Sequence, residues 1–325
     1  MSTSAQWCAT VLLILLTAPP AAAQSRCHPT LAPRGGGQVA DTAFDAAVPR
    51  PAFATGQGPL VLLDEGHFNF HTLAGRYAPF ARLLRRDGFE VRALRGRISP
   101  DSLAPARILV IANALGEANA APLNWSLPIQ AAFQPDEIEA IQRWVSQGGS
   151  LFLIADHMPF PGAVETLARA FGILLLNGFA TDSSCSEDEF MFRRSDGTLS
   201  IHPITQGRGP GERVDSVRSF TGEAFRLLSG RSILTLEPGA VVLLPTRAWS
   251  FSDSTPRLSG AGMWQGGVLL HGRGRVAVFG EAAMFSAQLS GTPRRPMGMN
   301  APNAGQNAQL LLNVVHWLAG LLHAK

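Results

Sequence analysis

Gly148-Gly149-Ser150-Leu151-Phe152-Leu153-Ile154-Ala155-Asp156-His157 places a glycine stop, a short apolar run and an acid–histidine pair in immediate succession. The run from Leu151 to Ala155 has the length and continuous apolarity of a strand buried on both faces. Upstream, Pro135 opens a helix, Asp136 and Glu137 occupy the first turn where carboxylates complement the positive helix end, and Ile138, Ile141, Trp144 and Val145 share one face. Downstream, Val164, Leu167, Ala168 and Phe171 line a second helix that stops at Gly172. The same alternation extends outward. Leu60–Leu63, Phe89–Leu94 and Ile108–Ala112 read as further strands, and Tyr77, Phe80, Leu83 and Leu84 recur at helical spacing, with Pro79 in the first turn. It predicts an α/β fold with a mostly parallel sheet and helices on both faces. Gly267–His271 and Arg275–Phe279, joined at Gly272-Arg273-Gly274, predict a hairpin near one edge, and a helix carrying Leu311, Val314, Val315, Leu318 and Leu322 closes the domain. Residues 59–325 read as a single domain, with an irregular Gly-, Ser- and Asp-rich insertion at about 177–232.

Composition narrows the chemistry. Of the 27 Lys and Arg residues among 325, Lys325 is the only lysine, so a Walker-type phosphate loop or an internal Schiff-base lysine is excluded. Charged residues make up 16% and hydrophobic ones 46%, the balance of a core-rich globular chain. The net charge is +3 and the arginines are dispersed, without the basic stripe and interleaved aromatics of a nucleic-acid binder. Val11–Leu16, Pro19-Pro20 and Ala21-Ala22-Ala23 read as a signal peptide over residues 1–23, cleaved near Ala23, with residues 24–58 as a flexible tail. No later apolar stretch reaches spanning length, so a periplasmic or secreted protein without a membrane span is expected. Cys27 and Cys185 would then remain as two free thiols or one disulfide.

In an open parallel sheet, ligands bind beyond the carboxyl ends of the strands. The first strand ends in Asp64-Glu65-Gly66-His67, the strand at 151 in Asp156-His157, and the strand at 276 in Gly280-Glu281. Glu65, His67, Asp156, His157 and Glu281 are therefore the candidate catalytic residues. Such side chains form carboxylate–imidazole acid–base pairs or hold a divalent metal, for which His67, His157 and Asp156 are the candidate ligands. Each also has an ordinary structural reading: Asp156 as a helix cap, His67 as a loop residue, His71 as a helix-entry residue. Asp182, Glu187, Asp188 and Glu189 lack EF-hand spacing, Gly207–Gly211 lacks the strand–helix context of a phosphate loop, and no Gly-x-Ser-x-Gly elbow occurs.

Val61-Leu62-Leu63-Asp64-Glu65-Gly66-His67, Gly148–His157, His202-Pro203-Ile204-Thr205-Gln206-Gly207 and Asn313–Gly320 together resemble the class I glutamine amidotransferase-like superfamily, close to its GIFT and trehalose-utilisation-type domains. The resemblance implies a flavodoxin-like three-layer sandwich with a pocket at the strand ends. It does not carry over the family's nucleophile, because Asp156-His157 stands where an amidotransferase has its cysteine, so cysteine-dependent glutamine hydrolysis is not expected. Two readings follow. One is a hydrolase-like or carbohydrate-active enzyme using the acid/His site; the other is a non-catalytic domain binding a glycan, a peptide or another small molecule.

Overall fold

The computed structural model describes residues 37–120, 124–182, 189–246 and 256–322. The segments read as a signal peptide, Cys27 and Cys185 lie outside them. The main sheet contains nine strands: β1 (Leu60–Asp64), β2 (Glu90–Leu94), β3 (Ile108–Ala112), β4 (Ser150–Ile154), β5 (Ile173–Leu175), β6 (Phe225–Leu227), β7 (Arg231–Thr235), β8 (Trp264–His271) and β9 (Gly274–Phe279). Their order is β2-β1-β3-β4-β9-β8-β6-β5, with β7 also paired to β8.

The five strands from β2 to β9 are parallel, joined through four pairings. The other four pairings, which bring in β8, β6, β5 and β7, are antiparallel. The sheet is therefore mixed, and the expectation of a mostly parallel sheet is corrected. The fold is mixed α/β with additional small sheets, a coarser description than the flavodoxin-like sandwich. The hairpin's position is corrected as well. Val276–Phe279 is buried on both faces, so β9 lies inside the sheet between β4 and β8, and the hairpin joins the two halves instead of closing an edge.

Alternation along the parallel strands explains the layering, since successive side chains point to opposite faces. Val61, Leu63, Val110, Phe152 and Phe279 pack with Phe80 and Leu84 of α1 (Ala78–Arg86) and with Leu311, Val314 and Leu318 of a C-terminal helix, Asn307–Ala319. Leu62, Leu109, Leu151, Leu153 and Val278 pack on the opposite face with Ile138, Ile141 and Val145 of Pro135–Ser146 and with Val164 and Leu167 of Phe160–Ala170. Pro135 begins its helix as the sequence predicts, and the helix ends before Gly148, whose φ of 118° only glycine adopts without strain.

Within the segment read as a tail, Gln38–Ala40 pairs with Ala287–Ser290, and the Ala52 N–H donates to the Asp87 carboxylate at 2.8 Å. The insertion carries short strands: Phe179–Asp182 pairs with Ala240–Leu243 beyond it, and Phe190–Arg193 pairs with Ser216–Ser219 within it. Among the described residues no helix is long and apolar enough to cross a membrane. The register sets the position of the site. Ala112 and Phe279 both lie opposite Ile154, so β3, β4 and β9 end at one level and deliver Asn113, Asp156 and Glu281 to the same end of the sheet.

Candidate functional site at the strand ends

The five sequence-selected residues separate into distinct environments. At the exit of β1, His67 is buried and held from both sides. Its Nδ1 lies 2.9 Å from Asp64 Oδ1, and its Nε2 lies 3.2 Å from Glu137 Oε1, while its ring packs on Phe133. Burial opposes the imidazolium, but the hydrogen bond and charge of Asp64, together with those of Glu137, outweigh it and raise the pKa above the ordinary value. Glu137 also accepts the backbone N–H groups of Ile98 (2.8 Å) and Gln134 (2.9 Å), so this ion triad ties the first turn of one helix to two loops. Glu65 joins no cluster. Its carboxylate accepts the Leu73 N–H at 2.8 Å and meets Arg95 at 3.3 Å near the surface.

The exits of β4 and β9 come together. Asp156 donates its N–H to Asn113 Oδ1 (2.9 Å) and accepts the His157 N–H (2.8 Å). Glu281 accepts the N–H groups of Ala283 (2.5 Å) and Met284 (2.7 Å) and caps the turn that follows. A third acid, Glu223, accepts the Ala224 N–H at 2.6 Å and the Gly178 N–H, and its own N–H donates to the Gly280 carbonyl. This close approach depends on Gly222, where a Cβ would collide with the Gly280 carbonyl and with Glu281. Glu223 and Glu281 are fully buried and Asp156 nearly so. Burial pushes all three pKa values up; for Glu281 and Glu223 the charge of Asp156 pushes further, while the backbone donors act in the opposite direction. Each of the three acids therefore holds its proton to a higher pH than a solvated carboxyl does.

A loop of contacts runs around this cluster. The Phe70 N–H donates to the Asn113 carbonyl at 2.9 Å, Phe70 packs edge-on against His71, and His71 stacks on Tyr77 at 4.4 Å between centroids. The Tyr77 hydroxyl then donates to the Ala282 carbonyl at 2.9 Å, and the Ala282 N–H bonds back to Asp156. His71 is neutral, its pKa lowered to about 3 by burial and by the nearby Arg76 charge. His71 Nδ1, Asn113 Nδ2 and Gln265 Nε2 are buried without a hydrogen-bond partner among the described residues. Asn113 holds a positive φ of 50°, a strained setting of the kind that accumulates at functional sites.

His157 is half-buried beside the acids. Its Nδ1 meets the Met158 carbonyl at 2.7 Å, and its ring stacks on Phe179 at 4.6 Å with Trp125 at 5.1 Å. Asp156, His157 and Glu281 are thus brought together, whereas Glu65 and His67 are not part of their group. The same geometry does not gather His67, His157 and Asp156 into one ligand set. Both His67 nitrogens are engaged by carboxylates, and among the described residues no group of three or more His, Cys, Asp and Glu side chains is arranged to hold a metal ion. Glu223, Tyr77, Asn113 and Gln265 escaped the sequence reading. Asn113 follows a strand as directly as Asp156 does, and that position was its available signal.

No protein-family model matches the chain, and no curated protein matches it. Solved structures do. The mmIFT52 N-terminal domain aligns over 81% of this chain and 100% of its own, at 14% identity and a TM-score of 0.57. A putative ThuA-like protein from Parabacteroides merdae aligns over 83% of this chain and 93% of its own, at 13% identity and a TM-score of 0.47. The exo-beta-1,4-mannosidase from an Opitutaceae bacterium aligns over 82% of this chain and 37% of its own, at 12% identity and a TM-score of 0.37. At these identities the first match speaks for the fold alone.

Proposed function

We propose that this chain is a non-catalytic ligand-binding domain on an amidotransferase-like fold, exported through the leader read at residues 1–23, that takes a glycan or peptide at the carboxyl end of its sheet. One observation carries the reading. Glu223 and Glu281, the acids closest to Asp156 in charge and contact, are fully buried and already accept backbone N–H groups, so their carboxyls tie loops together where a catalyst would present them to a substrate. The half-buried rings of His157 and Trp125 at the rim, backed by Phe179, supply a face suited to a sugar ring or an aromatic side chain.

A hydrolase-like enzyme is the second reading, favoured by the raised pKa of Asp156 beside the unpaired Asn113 Nδ2. That pair offers a proton donor and an N–H donor in one place. A panel of oligosaccharides and short peptides, screened by thermal shift and followed by activity assays on nitrophenyl glycosides, separates the two. Binding lost in Trp125→Ala and His157→Ala, and unaccompanied by turnover, supports the binding domain. Turnover that disappears in Asp156→Asn replaces it with the enzyme.

A further inference from the structure

Helix α1 reads Ala78-Pro79-Phe80-Ala81-Arg82-Leu83-Leu84-Arg85-Arg86 and contains no acidic residue. Its apolar residues Phe80, Leu83 and Leu84 are buried in the core, which leaves Arg82, Arg85 and Arg86 on the outer side at i, i+3 and i+4, the spacing that makes helix neighbours. They line an open groove of about 580 Å³ together with Thr55, Leu73 and Ala78. Among the described residues no carboxylate lines it.

The partners of the three guanidiniums differ. Arg86 is matched by Asp45, its Nη2 donating to Oδ2 at 2.7 Å. Arg82 reaches only backbone carbonyls, those of Thr42 at 3.2 Å and Asp41 at 3.5 Å. The Asp41 carboxylate is used elsewhere, by the Ala43 N–H and by Asn300 Nδ2. Arg85 donates to the Val91 carbonyl at 2.8 Å. Among the described residues neither Arg82 nor Arg85 has an ion pair. A guanidinium carries five N–H donors in a planar fork, so both keep donors to offer. Arginines in the last helical turn are ordinary partners of the negative helix end, which accounts for Arg85 and Arg86. Arg82, one turn earlier, is not explained that way, nor is the open groove the three line.

We propose that this groove is a binding site for a small molecule carrying a phosphate or sulfate monoester. Both groups present three terminal oxygens on a tetrahedral centre, one negative charge in the sulfate and up to two in the phosphate, that pair with arginine forks, and Thr55 also lines the groove. The groove's volume lies in the range of small-molecule sites, so the ester's organic body has room against Leu73 and Ala78. The site lies on α1, outside the acid cluster, and does not depend on the function proposed for that cluster.

Isothermal titration of the full chain with glucose 6-phosphate, glucose 6-sulfate and unmodified glucose tests the proposal. Saturable binding of at least one ester, none of glucose, and weakening by about tenfold or more in Arg82→Gln/Arg85→Gln are expected, the loss of two charge-assisted contacts. The tighter ester identifies the source of the anion. Arg143→Gln, on another helix and paired with Glu139, serves as the control that leaves binding unchanged. Absence of saturable binding of both esters, equal binding of glucose, or full affinity in the double variant overturns the proposal. If the double variant fails to fold, Arg85→Gln alone, at an exposed position, supplies the same comparison.

Discussion

Two buried ionisable groups sit at the same end of this protein and solve the burial of charge in opposite ways. Around His67, two carboxylates flank one imidazole and every polar atom of the ring has a partner. Around Asp156, three acids crowd together with backbone N–H donors, a neutral histidine and unpaired amides. The first group keeps its charges by pairing them. The second raises the pKa values of its acids, since burial among other acids disfavours the charged form.

The largest effect separating the two is expected from His67→Ala. It leaves Asp64 buried without its cation and Glu137 with only the longer contact to Arg97 Nε at 3.7 Å, and urea unfolding at neutral pH should show a loss of about 3–5 kcal/mol. A loss below about 1 kcal/mol, the range of surface pairs, would mean that the triad is as solvated as an exposed one. Next comes Glu281→Gln, which preserves shape and removes one ionisation. Because the folded pKa of Glu281 is raised, its contribution is fully present below the unfolded carboxylate value of about 4.3 and is lost as pH rises from there towards the folded value. The Gln amide has one acceptor for the two backbone N–H groups, a loss common to all pH values, so the variant's melting temperature relative to wild type should rise by about 2–4 °C between pH 4 and pH 8. His67 shares the sign but not the window. Its raised pKa gives stability that is complete below about 6.5 and lost as pH climbs through the folded value, so the part of the alkaline loss that begins near 6.5 should persist in Glu281→Gln and be reduced in His67→Ala, where the buried acids still contribute theirs.

The smallest effect is expected from His71→Phe. His71 has a lowered pKa of about 3, so wild type gives up stability as pH falls from about 6.5 towards that value. Phenylalanine keeps the stack on Tyr77 and does not titrate, so the variant's melting temperature should fall less between pH 7 and pH 4. Parallel melting profiles for wild type and variant over that range would show that His71 is not buried as a neutral ring.

Much of the first group's surroundings was legible in the sequence, because local signals carry them. Pro135, Asp136, Glu137 and Gly148 mark a helix whose observed span is Pro135–Ser146. Glu137 reads locally as a first-turn acid, yet it reaches His67 seventy residues away, and that pairing appears only once β1 and the helix are packed. The second group was half legible. Strand exits announce Asp156 and Glu281, but Glu223 lies in a stretch with no periodicity and is brought in by Gly222. The hairpin illustrates the same limit. Its own residues specify that β8 pairs with β9, while what flanks β9 is decided by the burial of Val276–Phe279 on both faces.

That hairpin is also the seam of the molecule. β8–β9 is the strand pairing that joins the parallel half of the main sheet to the antiparallel half. The acid cluster straddles it, with Asp156 after β4, Glu281 after β9, Gln265 on β8 and Glu223 just before β6. Parting the two halves would admit water to these carboxyls and let them ionise, and their mutual repulsion would then oppose reclosure. The raised pKa values give the same sign: protonation of these acids favours the closed seam, and that contribution falls as pH rises above the ordinary carboxyl value.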